Sequence, residues 1–283
     1  MACYEDLPEA RACQKGTHEK YRRGEYRKGD RMIWTLALVM GGLVGLSLGM
    51  FGSGGSILAV PILVYLLGIE TKSAIAMSLV IVGVTAFWGA WQQWRQKTLC
   101  LRAAVFFSAV GIAGALGGTW VGLRISDTLQ MSLFALLMVV VAVTMLLKKE
   151  TEVVPGKNEC QMRTDLAGGL GAGVGFMTGL LGVGGGFLIV PALNSLGRLK
   201  LRLAIGTSLF VIAVNAAAGA LGYFGKVNFN WPLVAIFVVC SLLGSGWGVR
   251  LARRMPVENL RKSFAGLILL LGTWLLVKNL WGL

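Results

Sequence analysis

A glycine-rich turn occurs twice in this chain, each time inside apolar sequence, with its third glycine six residues ahead of a proline. The first copy reads Gly52-Ser-Gly-Gly-Ser-Ile-Leu-Ala-Val-Pro61 and the second Gly182-Val-Gly-Gly-Gly-Phe-Leu-Ile-Val-Pro191. Glycine loosens a helix, and proline lacks the N–H that would continue its hydrogen-bond ladder. In lipid, backbone groups freed by such a break persist only where protein or a water-filled cavity satisfies them. One break per half, each inside membrane-length apolar sequence, is the pattern from which membrane carriers build a solute site.

The two prolines are 130 residues apart, and that offset aligns most of the two halves without a gap. Gly45 meets Gly175, Gly49 meets Gly179, Ser78-Leu79 meets Ser208-Leu209, and Gly89-Ala90 meets Gly219-Ala220. Further along, Gly114 pairs with Gly244, Gly118 with Gly248 and Phe134 with Phe264. Shared apolar composition would give scattered matches, not glycine and proline in register. The sequence therefore predicts an all-α integral membrane protein of two homologous repeats, each of about four transmembrane helices with a glycine-rich break.

Composition supports this reading. Of 283 residues, 55% are hydrophobic and 14% charged, where a soluble domain carries about a quarter charged. The net charge of +14 would raise nucleic-acid binding in a soluble domain. Here the basic residues sit at the ends of apolar runs, where they set topology and meet lipid headgroups. The bilayer is the expected partner, and no nucleic acid is.

Residues 1–31 read as a polar cytoplasmic tail, 32–147 as the first transmembrane repeat, 148–164 as a linker and 165–283 as the second repeat. Apolar segments run over 32–50, 55–68, 74–94, 103–123 and 128–147, then 165–181, 185–197, 203–224, 231–249 and 263–281. Segments 55–68 and 185–197 are short for a full span of about 20 residues. Joined to their predecessors as broken spans they give four crossings per half and parallel halves. Crossing alone they give five and inverted halves. Lys and Arg counts do not decide, and about eight true spans is the expectation.

The candidate chemistry starts from an absence. After Asp30 the carboxylates are Glu70, Asp127, Glu150, Glu152, Glu159, Asp165 and Glu258, all in loops or at span edges. Cation pathways usually place a carboxylate mid-membrane, so an anion or neutral solute fits better. The expected anion-binding groups are backbone N–H groups at Gly52, Gly54, Gly55 and Ser56 in one half and Gly182, Gly184, Gly185 and Gly186 in the other. A helix starting inside the protein presents unpaired donors and the positive end of its dipole there. Ser78, Thr207, Ser208 and Asn215, the last equivalent to Thr85, are expected to add polar side chains from the following span. The simpler alternative is that such hydroxyls back-bond within their own helices. Gly114, Gly117, Gly118, Gly244 and Gly248 read as small residues for close helix crossing. Trp88, Trp91 and Trp94, followed by Arg95 and Lys97, read as an interfacial belt. Gln92 and Gln93 beside them could line a pore mouth.

Other chemistries find little support. The five cysteines share no metal-ligand spacing, the sole histidine, His18, lies in the tail, and no nucleophile–base pair stands out. No metal, cofactor or enzymatic activity is expected. Gly182-Val-Gly-Gly-Gly lacks the strand, helix and acidic residue of a dinucleotide fingerprint.

The doubled Gly-x-Gly-Gly-(Gly/Ser)-x-x-x-x-Pro-x-Leu turns and the Ala204-Ile-Gly-Thr-Ser-Leu209 run resemble the TauE/SafE sulfite exporter family, from about residue 33 to the end. In the first half Ser56 replaces the third consecutive glycine, and Ala76-Met77-Ser78 stands where the second half has Gly206-Thr207-Ser208. The resemblance implies a multi-pass inner or plasma membrane protein that moves sulfite, an organosulfonate or a related sulfur or carboxylate anion. The competing expectation is a non-transporting membrane scaffold or accessory subunit of a sulfur-metabolism system.

Overall fold

The computed structural model describes residues 30–51, 56–147, 164–182, 201–252 and 257–280. These form nine α-helices and one π-helical turn, with no strand among the described residues. They are α1 (Asp30–Phe51), α2 (Ser56–Pro61), α3 (Thr71–Arg95), α4 (Leu101–Gly122), α5 (Asp127–Leu147), α6 (Thr164–Leu181), α7 (Leu201–Tyr223), α8 (Trp231–Ala252) and α9 (Val257–Leu280), and the π turn Ile62–Leu66 follows α2 directly. Residues before Ala37 belong to a separate compact unit, the amino-terminal end of α1. The helices described below belong to the second unit, Ala37 onward. The tail and most of the 148–164 linker lie outside the described residues, as does the 185–197 segment.

Local chemistry sets the helix ends. Pro61 closes α2, and the backbone then widens to a π turn in which Leu67 N–H bonds Ile62 C=O at 3.2 Å. A proline ring crowds the carbonyl four residues back, so a shift of register after it relieves the ladder. Asn230 caps α8, its Oδ1 accepting from Leu233 N–H at 3.3 Å. Pro232 then falls in the first turn, where a missing N–H costs nothing.

Five helices among the described residues are long and apolar enough to cross a bilayer: Thr71–Arg95, Leu101–Gly122, Asp127–Thr144, Leu203–Tyr223 and Trp231–Leu251. Their burial separates them into two groups. Over its most apolar stretch α3 is 72% buried and α7 67%, whereas α4, α5 and α8 lie between 33% and 39%. The pair α3–α7 is the centre, and the others turn Leu116, Trp120, Leu243 and Trp247 outward. Exposed apolar area on that scale matches a lipid-facing surface and not a water-facing one. Trp88, Trp91 and Trp94 are exposed too, with Trp91 and Trp94 edge to face and the Arg95 guanidinium 5.5 Å from the Trp91 ring centre.

Helices meet through glycine. A β-carbon at Gly45 or Gly49 would collide with the carbonyl oxygens of Ser241 and Ser245 on α8. At Gly175 or Gly179 it would collide with those of Gly111 and Ala115 on α4. Each contact in the second set lies 130 residues from its counterpart in the first, with the partners displaced the opposite way. Gly244 and Gly248 face the carbonyls of Gly42 and Leu46, and Gly114 and Gly118 face those of Ala172 and Phe176. These four make the close crossings expected of them. Gly117 does not: its nearest neighbour, a Phe176 ring carbon, lies at 4.0 Å.

Direction follows from the same contacts. Gly89, near the end of α3, packs on Leu209 near the start of α7, while Gly219 near the end of α7 packs on Leu79 near the start of α3. The central pair is antiparallel. Helices α1 and α3 both end at one cavity, lined by Gly49 and by Gln92 and Gln96. They run the same way, so the chain between them must turn back, and α2 with the π turn lies on that return. The first half therefore has five helical segments, one for each apolar segment read from its sequence, with the short α2 and its π turn as the return piece between two helices that point the same way.

Replacing Gly179 with alanine is expected to destabilise the protein by about 1–3 kcal/mol or more through overpacking. Gly246, whose β-carbon would meet open space, should tolerate alanine with little change. Thermal melting of the two purified variants checks the contrast.

Candidate functional site

Of the expected site residues, Gly52, Gly54, Gly55, Gly184, Gly185, Gly186 and the side chain of Ser56 lie outside the described residues. Gly182, Ser78, Thr207, Ser208 and Asn215 are placed. They fall at three separate positions along the central pair.

The first is the carboxyl end of α6. Gly182 adopts φ +71°, and a β-carbon there would come within 2.7 Å of Ile75 Cγ2, so glycine is required on both counts. Its N–H bonds Thr178 C=O at 2.9 Å. Its own carbonyl accepts from Ser78 Oγ at 2.9 Å, a hydroxyl shared with Ile75 C=O at 2.7 Å. Ser78 thus holds the start of the second glycine turn from 104 residues away in sequence. The last carbonyls of a helix have no partner within it, and two more here are taken by side chains. Tyr223 Oη donates to Gly179 C=O at 3.2 Å, and Gln130 Nε2 donates to Leu180 C=O. Tyr223 is fully buried and closes this end.

The second position is the start of α7. Gly206 lets this helix approach the α3–α4 loop so closely that a β-carbon would strike Thr98 C=O. Thr207 Oγ1 accepts from Cys100 N–H at 3.2 Å, at the start of α4, and Ser208 Oγ bonds Ile205 C=O at 2.8 Å. Both hydroxyls are fully buried and engaged within the protein. Thr98 Oγ1 lies 2.6 Å from the Gln93 side-chain oxygen and 3.0 Å from its carbonyl. Beside this loop α1, α3, α7 and α8 enclose a cavity of about 30 Å³, room for about two water molecules. Gln92, Gln93, Gln96 and Ser245 supply its polar lining, Gly49 and Leu209 part of its apolar wall. Neither Thr207 nor Ser208 lines it.

The third position is mid-helix. Asn215 is fully buried against Gly111, and neither atom of its amide has a partner among the described residues. At the equivalent place Thr85 Oγ1 and Ser241 Oγ bond each other at 2.7 Å. The asparagine occupies the space that a side chain at Gly111 would need. An unpaired buried amide costs about 1–3 kcal/mol.

Ionisable groups keep to the ends. The described carboxylates Asp30, Glu70, Asp127, Asp165 and Glu258 each stand at the first or second position of a helix or just before one. Lys72 and Asp127 pair at 3.7 Å, partly exposed, a contact of small worth. No cluster of three His, Cys, Asp or Glu that could hold a metal occurs among the described residues.

A bundle of long apolar helices with a buried central pair, glycine crossings and an internal cavity that glutamines partly line is that of a multi-pass membrane protein of the transporter kind. The family model for the sulfite exporter TauE/SafE matches residues 37–275, and the chain belongs to that family. It is 35% identical to a probable membrane transporter protein of Xylella fastidiosa over 233 residues, 81% of this chain and 89% of the relative. It is 23% identical to the probable membrane transporter protein YunE of Bacillus subtilis over 271 residues, 88% of this chain and 99% of the relative. A probable membrane transporter protein of Haemophilus influenzae is 26% identical over 253 residues. No solved structure matches the chain. The protein is a membrane transporter of the TauE/SafE family.

Sequence reasoning did not find Tyr223, Gln130, Thr119 or Ser245. Thr119 Oγ1 bonds Ala115 C=O at 2.9 Å and faces Gly219 C=O at 3.5 Å. Nothing in linear spacing marks these residues, since each acts on a helix more than 40 residues away or on a cavity wall.

Ser78→Ala is expected to cost about 1–3 kcal/mol, because it leaves the Gly182 carbonyl unpaired in a buried position. Ser208→Ala removes only a bond within its own helix and should cost less than half as much. Thermal melts in detergent compare the two.

Proposed function

We propose that this protein is a secondary carrier in the cell membrane for a small anion: sulfite, an organosulfonate or a related sulfur or carboxylate anion. Two homologous repeats of opposite orientation form it, the first at residues 32–147 and the second at 165–283. Gly52, Gly54, Gly55 and Ser56 in one repeat and Gly184, Gly185 and Gly186 in the other present backbone N–H groups to the solute, while Gly182, whose own N–H bonds Thr178 C=O, makes the bend that leads into its turn. Ser78, Thr207, Ser208 and Asn215 position those turns or meet the solute in another conformation.

One observation carries the reading: every described carboxylate sits at a helix end, so the described interior has no fixed negative charge for a cation. Carriers of cations usually need one there, whereas an anion can be held by N–H donors and helix dipoles alone. The antiparallel central pair and the glycine contacts that recur at a 130-residue offset support the inverted arrangement. Such carriers place their solute where the broken helices of two repeats meet.

Gly55→Leu and Gly185→Leu are expected to abolish uptake of labelled sulfite or sulfoacetate into proteoliposomes, since a branched side chain would cover the donors. Gly246→Ala should transport as wild type does. Undiminished flux in both leucine variants, or no flux of any sulfur or carboxylate anion in the wild type, overturns the reading.

A further inference from the structure

The end of the central pair that carries the cavity beside Gln92 and Gln93 differs from the opposite end at equivalent positions of the sequence. At the 130-residue offset Gln93 corresponds to Tyr223, Gln92 to Gly222 and Ser245 to Ala115. The tyrosine end is shut: its ring is fully buried and its hydroxyl bonds Gly179 C=O. The glutamine end instead holds the cavity, with carboxamides in an otherwise mostly apolar lining. We infer that the cavity beside Gln92, Gln93, Gln96 and Ser245 holds the oxyanion head group of the solute and selects head groups of one charge, hydrogensulfite or a sulfonate group, over head groups of two charges such as sulfate. This inference rests on the anion-carrier reading and deepens it.

The chemistry of the lining makes the choice. A carboxamide offers two N–H donors, so more than one oxygen of a sulfonate-type head group can be bonded at once; the Ser245 hydroxyl gives its own proton to Leu242 C=O at 2.8 Å. No lysine, arginine or carboxylate is among the described residues lining the cavity. Removing an ion from water costs more as its charge rises, and neutral dipoles compensate a single charge far better than two. Space for about two water molecules fits a compact head group and leaves any organic part of the solute against Leu209 and its apolar neighbours. Arg95, Lys97 and Arg250 each adjoin a lining residue in sequence, so positive potential gathers anions at this end without entering the site. Gln92 makes no side-chain hydrogen bond within the described residues, which leaves its amide available to a guest.

Binding of methanesulfonate and of sulfate to the purified full-length protein in nanodiscs tests this, by titration calorimetry at matched ionic strength. Wild type is expected to bind methanesulfonate at least tenfold more tightly than sulfate. Gln92→Leu should weaken methanesulfonate binding at least tenfold with an unchanged melting temperature, and Gln92→Glu should weaken it further by repulsion. Gln93→Leu also loses its contact with Thr98, so Gln92 is the deciding position. Equal or tighter sulfate binding overturns the selectivity, and wild-type affinity in both Gln92 variants overturns the site. In either case continued anion flux in proteoliposomes would leave the carrier reading standing. Absence of all anion flux would remove that reading and this inference together.

Discussion

The structure depends on helices brought so close that no side chain fits between them. Gly45 and Gly49 against α8, and Gly175 and Gly179 against α4, set backbone on backbone. In lipid the hydrophobic effect does not drive helices together, so dispersion over such close contacts must do most of that work. A methyl group at any of the four would force the pair apart. These crossings join α1 to α8 and α6 to α4, and α8 and α4 in turn flank the central pair, where Ser241 meets Thr85 of α3 and Gly111 meets Asn215 of α7.

Within this scaffold the two ends of the central pair have diverged. At one, Ser78, Tyr223 and Gln130 take up the carbonyls at the end of α6. At the other, glutamines line a small cavity. Mid-way, Thr85 and Ser241 bond each other while the amide of Asn215 at the equivalent place has no partner among the described residues. Similar backbone contacts thus support different polar chemistry on the two sides. A carrier that exposes its site to one side at a time needs such a difference between its ends in any one conformation.

Electrostatics divides the molecule in the same spirit. Charge is confined to helix ends, and the described interior is furnished with hydroxyls, carboxamides and backbone.

The sequence by itself determined the helical membrane class, nearly every helix position, the family and the crossing role of Gly114, Gly118, Gly244 and Gly248. Those properties follow from local chemistry: apolar run length, the missing side chain of glycine, the missing N–H of proline. It also singled out Ser78, Thr207, Ser208 and Asn215, but not what each of them touches. Only the tertiary structure decided that Ser78 braces a turn in the other half, that Thr207 meets the start of α4, and that Tyr223 fills one end while Gln93 lines a cavity at the other. It decided as well that α3 and α7 are antiparallel, a point on which basic-residue counts were silent. The reason is physical: hydrogen-bond partners and cavities here join helices up to 156 residues apart, and hydrophobic periodicity carries no record of which helix faces which.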